Sequence, residues 1–368
     1  MHTKAVFPGK YIQGQGILYE LPELIKTLGT KGMILASPTV IEKILPGYLT
    51  ASFSDQFPVE LFNGECCEAE LDRLSVIIQR DQPDMIVGMG GGKTIDTAKI
   101  AANRAGIPVI IVPTIAATDA PCSGCAVIYT PEGVFEATDY QKMNPAAVLV
   151  DMDVIAGAPT RFLVSGMGDA LATWFEARSC EHTHSMNECG GQSTLAGLHI
   201  ARLCYETLMK YGVLAKMASE QHLVTPALNY IAEANILLSG IGFESSGLAA
   251  AHAIHNGLTA LEETHSYYHG EKVAFGVLAG LQLNGALQTE TDEVYDFCLK
   301  VGLPVTLEDI GLDYTDRDKL LIAAEKACAP GQAIHHEPGK IIPEKVVSAM
   351  LMADAIGRSK RLHIGTDH

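Results

Sequence analysis

The sequence predicts an α/β domain built on a parallel sheet over residues 1–158, followed by an all-α domain over residues 159–368. Three observations carry this expectation. Short apolar runs alternate with helix-patterned stretches in the first part, a glycine triplet separates one such run from a helix, and β signals stop after Asp151. A chain of 368 residues is also long enough for two cores of ordinary size, about 100–200 residues each.

Taken in order, Gly32–Ala36, Met85–Met89, Val109–Val112 and Val148–Val150 read as buried strands, because continuous apolar runs suit strands covered on both faces. Cys125–Tyr129 and Val134–Glu136 flank the turn Thr130-Pro131-Glu132-Gly133, which predicts an antiparallel hairpin with Pro and Gly where a turn wants them. Pro113 and Ala156-Gly157-Ala158-Pro159 punctuate the junction of the halves. From about Arg161, Ala-, Leu- and Glu-rich stretches with helical spacing run to the end, with breaks expected at Gly190-Gly191, Gly212, Gly240, Gly270 and Pro304. The cleft between two such domains is the expected site.

A formal net charge of −17 repels phosphate backbones and anionic lipid, so neither nucleic acid nor a membrane is an expected partner. A small neutral molecule fits better. No run of about 18 apolar residues could span a bilayer and the first residues lack a signal-like apolar core, so a cytoplasmic location is expected. The 9 cysteines follow no regular framework, which predicts reduced thiols and no structural disulfides.

Asp84 to Lys99 reads as a strand, a Gly90-Gly91-Gly92 turn and a helix with Ile95, Ala98 and Ala102 on one face. Residues without side chains let an anion approach the main chain, where free amides and the positive end of the helix dipole favour a pyrophosphate. A tight turn would call for the same glycines, so the triplet alone leaves both readings open. The pattern is neither Gly-x-Gly-x-x-Gly nor Gly-x-x-x-x-Gly-Lys-Ser/Thr, which points away from the Rossmann fingerprint and the nucleotide triphosphatase loop.

Asp169 stands at the expected head of an apolar helix, where an unpaired carboxylate would be costly to bury. His252, among small helical residues, and His269, in Tyr267-Tyr268-His269-Gly270-Glu271-Lys272, would complete a carboxylate and two imidazoles suited to zinc. An isolated histidine is more often a core or surface residue, and these are too far apart for a short zinc motif, so spacing does not decide. Three protein ligands leave a fourth position open to a substrate oxygen, as in catalytic zinc sites.

Together with Pro113-Thr114-Ile115-Ala116-Ala117-Thr118-Asp119-Ala120-Pro121-Cys122-Ser123, these segments resemble the glycerol dehydrogenases of the iron-containing alcohol dehydrogenase superfamily. The resemblance runs from Pro8-Gly9-Lys10 to Ala333-Ile334-His335 and implies a dehydroquinate synthase-like architecture. It implies a zinc ion held by Asp169, His252 and His269, NAD over the glycine triplet, and a small polyol between the two. The implied NAD site comprises Ser37, Gly90, Gly91, Gly92, Lys93, Thr114, Ala117, Ser123, Cys125 and Tyr129. Asp119 is implied to touch the substrate and to act in catalysis with the metal ligands, and Phe243 to wall the polyol pocket. Homo-oligomers, octameric rings among them, are also implied.

Two departures from the pattern bear on chemistry. Iron-using relatives carry a histidine four residues after the aspartate, where this chain has Thr173, which favours three-ligand zinc. Ser37 stands where relatives commonly have an aspartate that bonds the adenosine ribose, so NAD is expected over NADP but without that device.

The implied reaction is NAD-dependent oxidation of glycerol to dihydroxyacetone and its reverse, with zinc lowering the pKa of the substrate hydroxyl and hydride passing to nicotinamide C4. Solvent, or else His255, takes the proton. Because a methyl-for-hydroxymethyl exchange is worth only about 1–3 kcal/mol in a pocket, 1,2-propanediol and 2,3-butanediol are alternative substrates. A non-catalytic NAD-binding protein is the reading from another class, and the complete ligand set speaks against it. Dehydroquinate synthases and glycerol-1-phosphate dehydrogenases bind anions and would need several Arg or Lys near the metal, where Lys272 stands alone. Cys122 and Cys125 lack a second pair for a zinc knuckle, and Cys180, His182, His184 and Cys189 read as an exposed loop. His335, His336, His363 and His368 read as surface positions, and Asp96 and Lys99 as organisers of the helix after the glycines.

Overall fold

The computed structural model describes residues 2–48 and 57–364. Its first half runs β1 (Tyr11–Gly14), α1 (Leu21–Lys26), β2 (Gly32–Ala36), α2 (Leu45–Tyr48), β3 (Val59–Leu61), α3 (Glu68–Asp81), β4 (Met85–Gly90), α4 (Gly92–Ala105) and β5 (Val109–Pro113). The hairpin β6 (Cys125–Tyr129) and β7 (Phe135–Tyr140), then β8 (Ala147–Asp151) and α5 (Met152–Gly157), complete it.

Six strands make one parallel sheet in the order β1-β8-β5-β4-β2-β3, and β6 pairs with β7 apart from it. Neighbouring side chains on the central strands enter different cores, which is why these strands read as unbroken apolar runs. Ile34, Val87, Ile110 and Leu149 pack with Leu21, Ile25 and Val40 on one face. Leu35, Ile86, Ile111 and Val148 join a core that continues into the helical half. Fully burying each such side chain contributes about 1.5–3 kcal/mol. The edge strands β1 and β3 escape the sequence reading because they are short and only partly buried.

Helices make up the rest: α6 (Thr160–Thr183), α7 (Leu195–Glu220), α8 (Pro226–Glu233), α9 (Ser239–Ser246), α10 (Ala250–Leu258), α11 (His269–Leu283), α12 (Gln288–Val301), α13 (Arg317–Ala327) and α14 (Pro343–Ile364). Gly190-Gly191 and Pro304 do separate helices, but Gly212 and Gly240 do not. Both lie inside helices and make room for a neighbour: a Cβ at Gly212 would sit 2.6 Å from Phe297, and one at Gly240 2.9 Å from the Asp119 carbonyl. Asp169 is likewise mid-helix in α6 rather than at its head. The N-terminal segment crosses to the helical half, where Lys4 N–H donates to the Gln192 carbonyl at 3.1 Å and Ser245 Oγ donates to the Val6 carbonyl at 3.3 Å.

Cys180 is a further correction. It is buried near the end of α6 with Sγ 3.2 Å from the Leu248 carbonyl, whereas His182 and His184 are exposed as expected. His368 and the side chain of His363 lie outside the described residues. All nine cysteines are free thiols. Among the described residues, no helix is long and apolar enough to cross a membrane.

Candidate active site

From β2 the chain crosses to β3 on one side, and from β4 it crosses to β5 on the other. The carboxyl ends of β2 and β4 therefore flank a topological switch point, the place where open parallel sheets take ligands. Ser37 follows β2 there, its N–H donating to the Met89 carbonyl at 3.2 Å. Gly90 ends β4, Gly91 follows it and Gly92 opens α4, and Thr114, after β5, donates its N–H to the Gly90 carbonyl at 3.0 Å. Internal packing accounts for Gly90, whose Cβ would lie 2.8 Å from Thr94 Oγ1. Nothing comparable crowds Gly92, where the nearest atom to a Cβ would be Thr118 Oγ1 at 3.9 Å. Open space at the first residue of α4 suits a ligand at the helix N-terminus better than a turn requirement does.

Lys93 and Tyr129 come together across this crevice: the ammonium lies 5.5 Å from the ring centroid and pairs with Glu65 at 2.5 Å. Nearly two turns further along α4, the fully buried Lys99 donates to the Ala120 and Cys125 carbonyls and to Ser123 Oγ, and pairs with Asp96 at 3.3 Å. Asp96 in turn accepts the Val127 N–H at 3.1 Å. The two residues thus anchor the 120–127 segment to α4, a wider task than organising their own helix. Ser123 and Cys125 are held in place by it, and Ala117 is buried just before it.

The three residues singled out as metal ligands converge because glycines let their helices touch. A Cβ at Gly270 would stand 1.8 Å from the Ser165 carbonyl, and one at Gly168 2.3 Å from the Gly270 carbonyl, so α6 and α11 cross at backbone contact. At Gly276, α11 meets the Ala251 carbonyl of α10 in the same way, at 2.4 Å. These crossings bring Asp169 Oδ1 to 3.1 Å from His269 Nε2 and 3.3 Å from His252 Nε2, with one ligand atom from each residue within 4.8 Å of the others. Metal–ligand bonds of about 2.0–2.1 Å in a tetrahedron put neighbouring ligand atoms about 3.4 Å apart, so both distances from Asp169 are those of groups that could share one metal ion.

Burial alone would raise the Asp169 pKa, but His269 and His252 hold it well below the usual carboxylate range. Asp169 Oδ2 accepts the N–H of Asp119 at 3.2 Å. The Asp119 carboxyl is pushed well upward by burial and by Asp169, while Oδ2 accepts from Ser239 Oγ at 2.8 Å. Ser239 Oγ lies 2.8 Å from Thr173 Oγ1, closing a polar row from α6 to the loop. Glu176 lies beneath His252, 2.6 Å from Nδ1. His255 Nε2 faces His269 Nδ1 at 3.0 Å, and burial followed by His269 lowers its pKa.

Residues 8–152 match the family described as iron-containing alcohol dehydrogenase. Over 362 residues, 98% of this chain and 99% of the relative, the sequence is 50% identical to a glycerol dehydrogenase of Thermotoga maritima. That decides the family. The chain belongs to the iron-containing alcohol dehydrogenases, among their glycerol dehydrogenases. A solved structure of a probable glycerol dehydrogenase from Sinorhizobium meliloti superposes with a TM-score of 0.92 at 45% identity, covering 97% of this chain and 99% of that one. A glycolaldehyde reductase of Halobacterium salinarum is 42% identical over 96% of this chain and 98% of its own.

For a family named after iron, Thr173 matters because its hydroxyl belongs to the row with Ser239 and its methyl faces Gly242, where a Cβ would lie 2.5 Å away. Phe243 follows, buried on α9 between Gly242 and Glu244, whose carboxylate accepts the Gly124 N–H at 2.8 Å. The sequence reading does not single out Glu176 or Ser239. Glu176 stands seven residues after Asp169, on the same face of α6, and that spacing is the one signal available for it.

Proposed function

We propose that this chain is a zinc-dependent glycerol dehydrogenase that oxidises glycerol to dihydroxyacetone with NAD and also runs the reverse reaction. The observation that carries this is the Asp169, His252 and His269 donor set, made by helix crossings and facing the loop that bears Asp119. Zinc bound there would supply a Lewis acid that lowers the pKa of the substrate hydroxyl. The glycine loop would take the NAD pyrophosphate, with Ser37 toward the adenosine ribose and Lys93, Thr114, Ala117, Ser123, Cys125 and Tyr129 lining the rest. Asp119, held by Ser239, would orient a second hydroxyl, and Phe243 would wall the polyol. NAD bound there would supply the acceptor for the hydride of the carbinol carbon, with the hydroxyl proton released to solvent, so that glycerol and NAD would balance against dihydroxyacetone, NADH and a proton. Thr173 supports zinc over iron, because a fourth protein ligand one turn past Asp169 is missing.

The division into domains at 158/159 belongs to the same proposal, supported by the non-helical link Ala158-Pro159 between α5 and α6. So does a homo-oligomer: α7 exposes Leu203, Leu214 and Met217 along one side, apolar surface that a second copy would cover. Nine free thiols suit the cytoplasm. The functional reading is tested by steady-state NAD reduction across glycerol, 1,2-propanediol, 2,3-butanediol and 1-propanol. Vicinal diols should exceed 1-propanol in kcat/KM by about tenfold or more, about 1.4 kcal/mol of transition-state binding. Equal turnover of 1-propanol would contradict substrate contact by both the metal and Asp119.

A further inference from the structure

We propose that Glu176 is a positioning residue that fixes which ring nitrogen of His252 faces the metal site. The inference rests on the reading of Asp169, His252 and His269 as that site. Oε2 of Glu176 lies 2.6 Å from His252 Nδ1, and Oε1 accepts the backbone N–H groups of Ala249 and His252, each at 2.9 Å. With Oε1 taken by two backbone donors, the Oε2 contact suits Nδ1 as its donor, which leaves Nε2, 3.3 Å from Asp169 Oδ1, as the nitrogen that would face the metal. Placing Asp169 and Glu176 two turns apart on α6 lets one rigid helix supply both the ligand and the group that orients its neighbour.

The same carboxylate ends α10. Ala249, which precedes that helix, has no side chain able to cap it, so Glu176 takes its first free amides from across the fold. Glu337 does similar work without touching His252: it accepts the Ala250 N–H at 2.9 Å, Ser179 Oγ at 2.6 Å and Asn284 Nδ2 at 2.8 Å. The two buried glutamates therefore separate helix capping from imidazole orientation. His269 has no carboxylate behind it, since its Nδ1 meets His255, and its side chain is 36% exposed against 13% for His252.

The test is zinc affinity of the full chain, measured by competition with a chromophoric chelator, for wild type, Glu176→Gln and Glu337→Gln, with circular dichroism on each metal-free protein. Glutamine at 176 can keep both amide bonds only by turning its NH2 toward Nδ1, which drives the proton of His252 onto Nε2. Glu176→Gln is expected to lose zinc affinity about 10- to 100-fold while its dichroism stays native, and Glu337→Gln to keep wild-type affinity. Unchanged affinity in Glu176→Gln, or an equal loss in Glu337→Gln, would overturn the proposal. Should Glu176→Gln not fold, Glu176→Asp serves, because its shorter arm withdraws from Nδ1 while keeping the charge; undiminished affinity there also overturns it. Zinc binding that survives His252→Ala undiminished would instead overturn the metal reading beneath it.

Discussion

At the scale of single residues, the site depends on side chains whose second contact determines what the first can do. Thr173 hydrogen-bonds Ser239, which donates to Asp119, whose main chain donates to Asp169. Ser239→Ala removes the buried hydroxyl that holds the Asp119 carboxyl, a loss of about 1–3 kcal/mol for a buried polar group left without its partner, and is expected to raise the KM for glycerol with little effect on that for NAD. Thr173→His, the iron-type ligand of the resemblance, puts a larger ring at a buried position whose methyl already faces Gly242; overpacking of about 1–3 kcal/mol should lower Tm. Ser37→Asp should reduce NADP turnover about tenfold, about 1.4 kcal/mol, because a carboxylate there repels a 2'-phosphate. The proposed ligands Asp169, His252 and His269, which the fold brings together, were legible in the sequence because ligand chemistry restricts residue type and because the resemblance extends over them. Glu176 was not, since a glutamate seven residues along a helix is commonplace until its partner is known.

Among elements, the decisive feature is helix–helix contact at glycine. Gly270→Ala would force a Cβ to within 1.8 Å of the Ser165 carbonyl and push α11 off α6, carrying His269 away from Asp169. Loss of zinc from this variant, measured by metal content, is expected, whereas Gly280→Ala on the same helix meets nothing closer than 3.5 Å and should retain it. Such contacts also explain where element reading fell short. Gly212 and Gly240 look like helix breaks because a one-dimensional pattern shows the missing side chain but not Phe297 or the 119–122 loop that fills the space. The central strands were legible because burial on both faces leaves an apolar run, and β1 and β3 were not because edge strands of three or four half-buried residues leave none.

Across the whole molecule, the sheet half and the helical half meet where the crevice proposed for the nucleotide lies near the proposed ligands Asp169, His252 and His269, with the 114–127 segment reaching toward both. Its anchor is Lys99, so Lys99→Met should unseat Ser123 and Cys125 and strand the buried Asp96, destabilising the fold by about 3–5 kcal/mol and weakening NAD binding. Ligands that bind only the folded chain stabilise it by mass action, so zinc at about 100 times its Kd should add about 2.7 kcal/mol to stability, visible as a higher Tm. The most direct measurement of the central claim is NAD reduction by glycerol before chelation, after it, and after zinc is returned, alongside Asp169→Asn. Activity that disappears with the chelator, returns with zinc and is absent from the variant is the predicted result; glycerol oxidation indifferent to chelation and intact in Asp169→Asn would contradict the account.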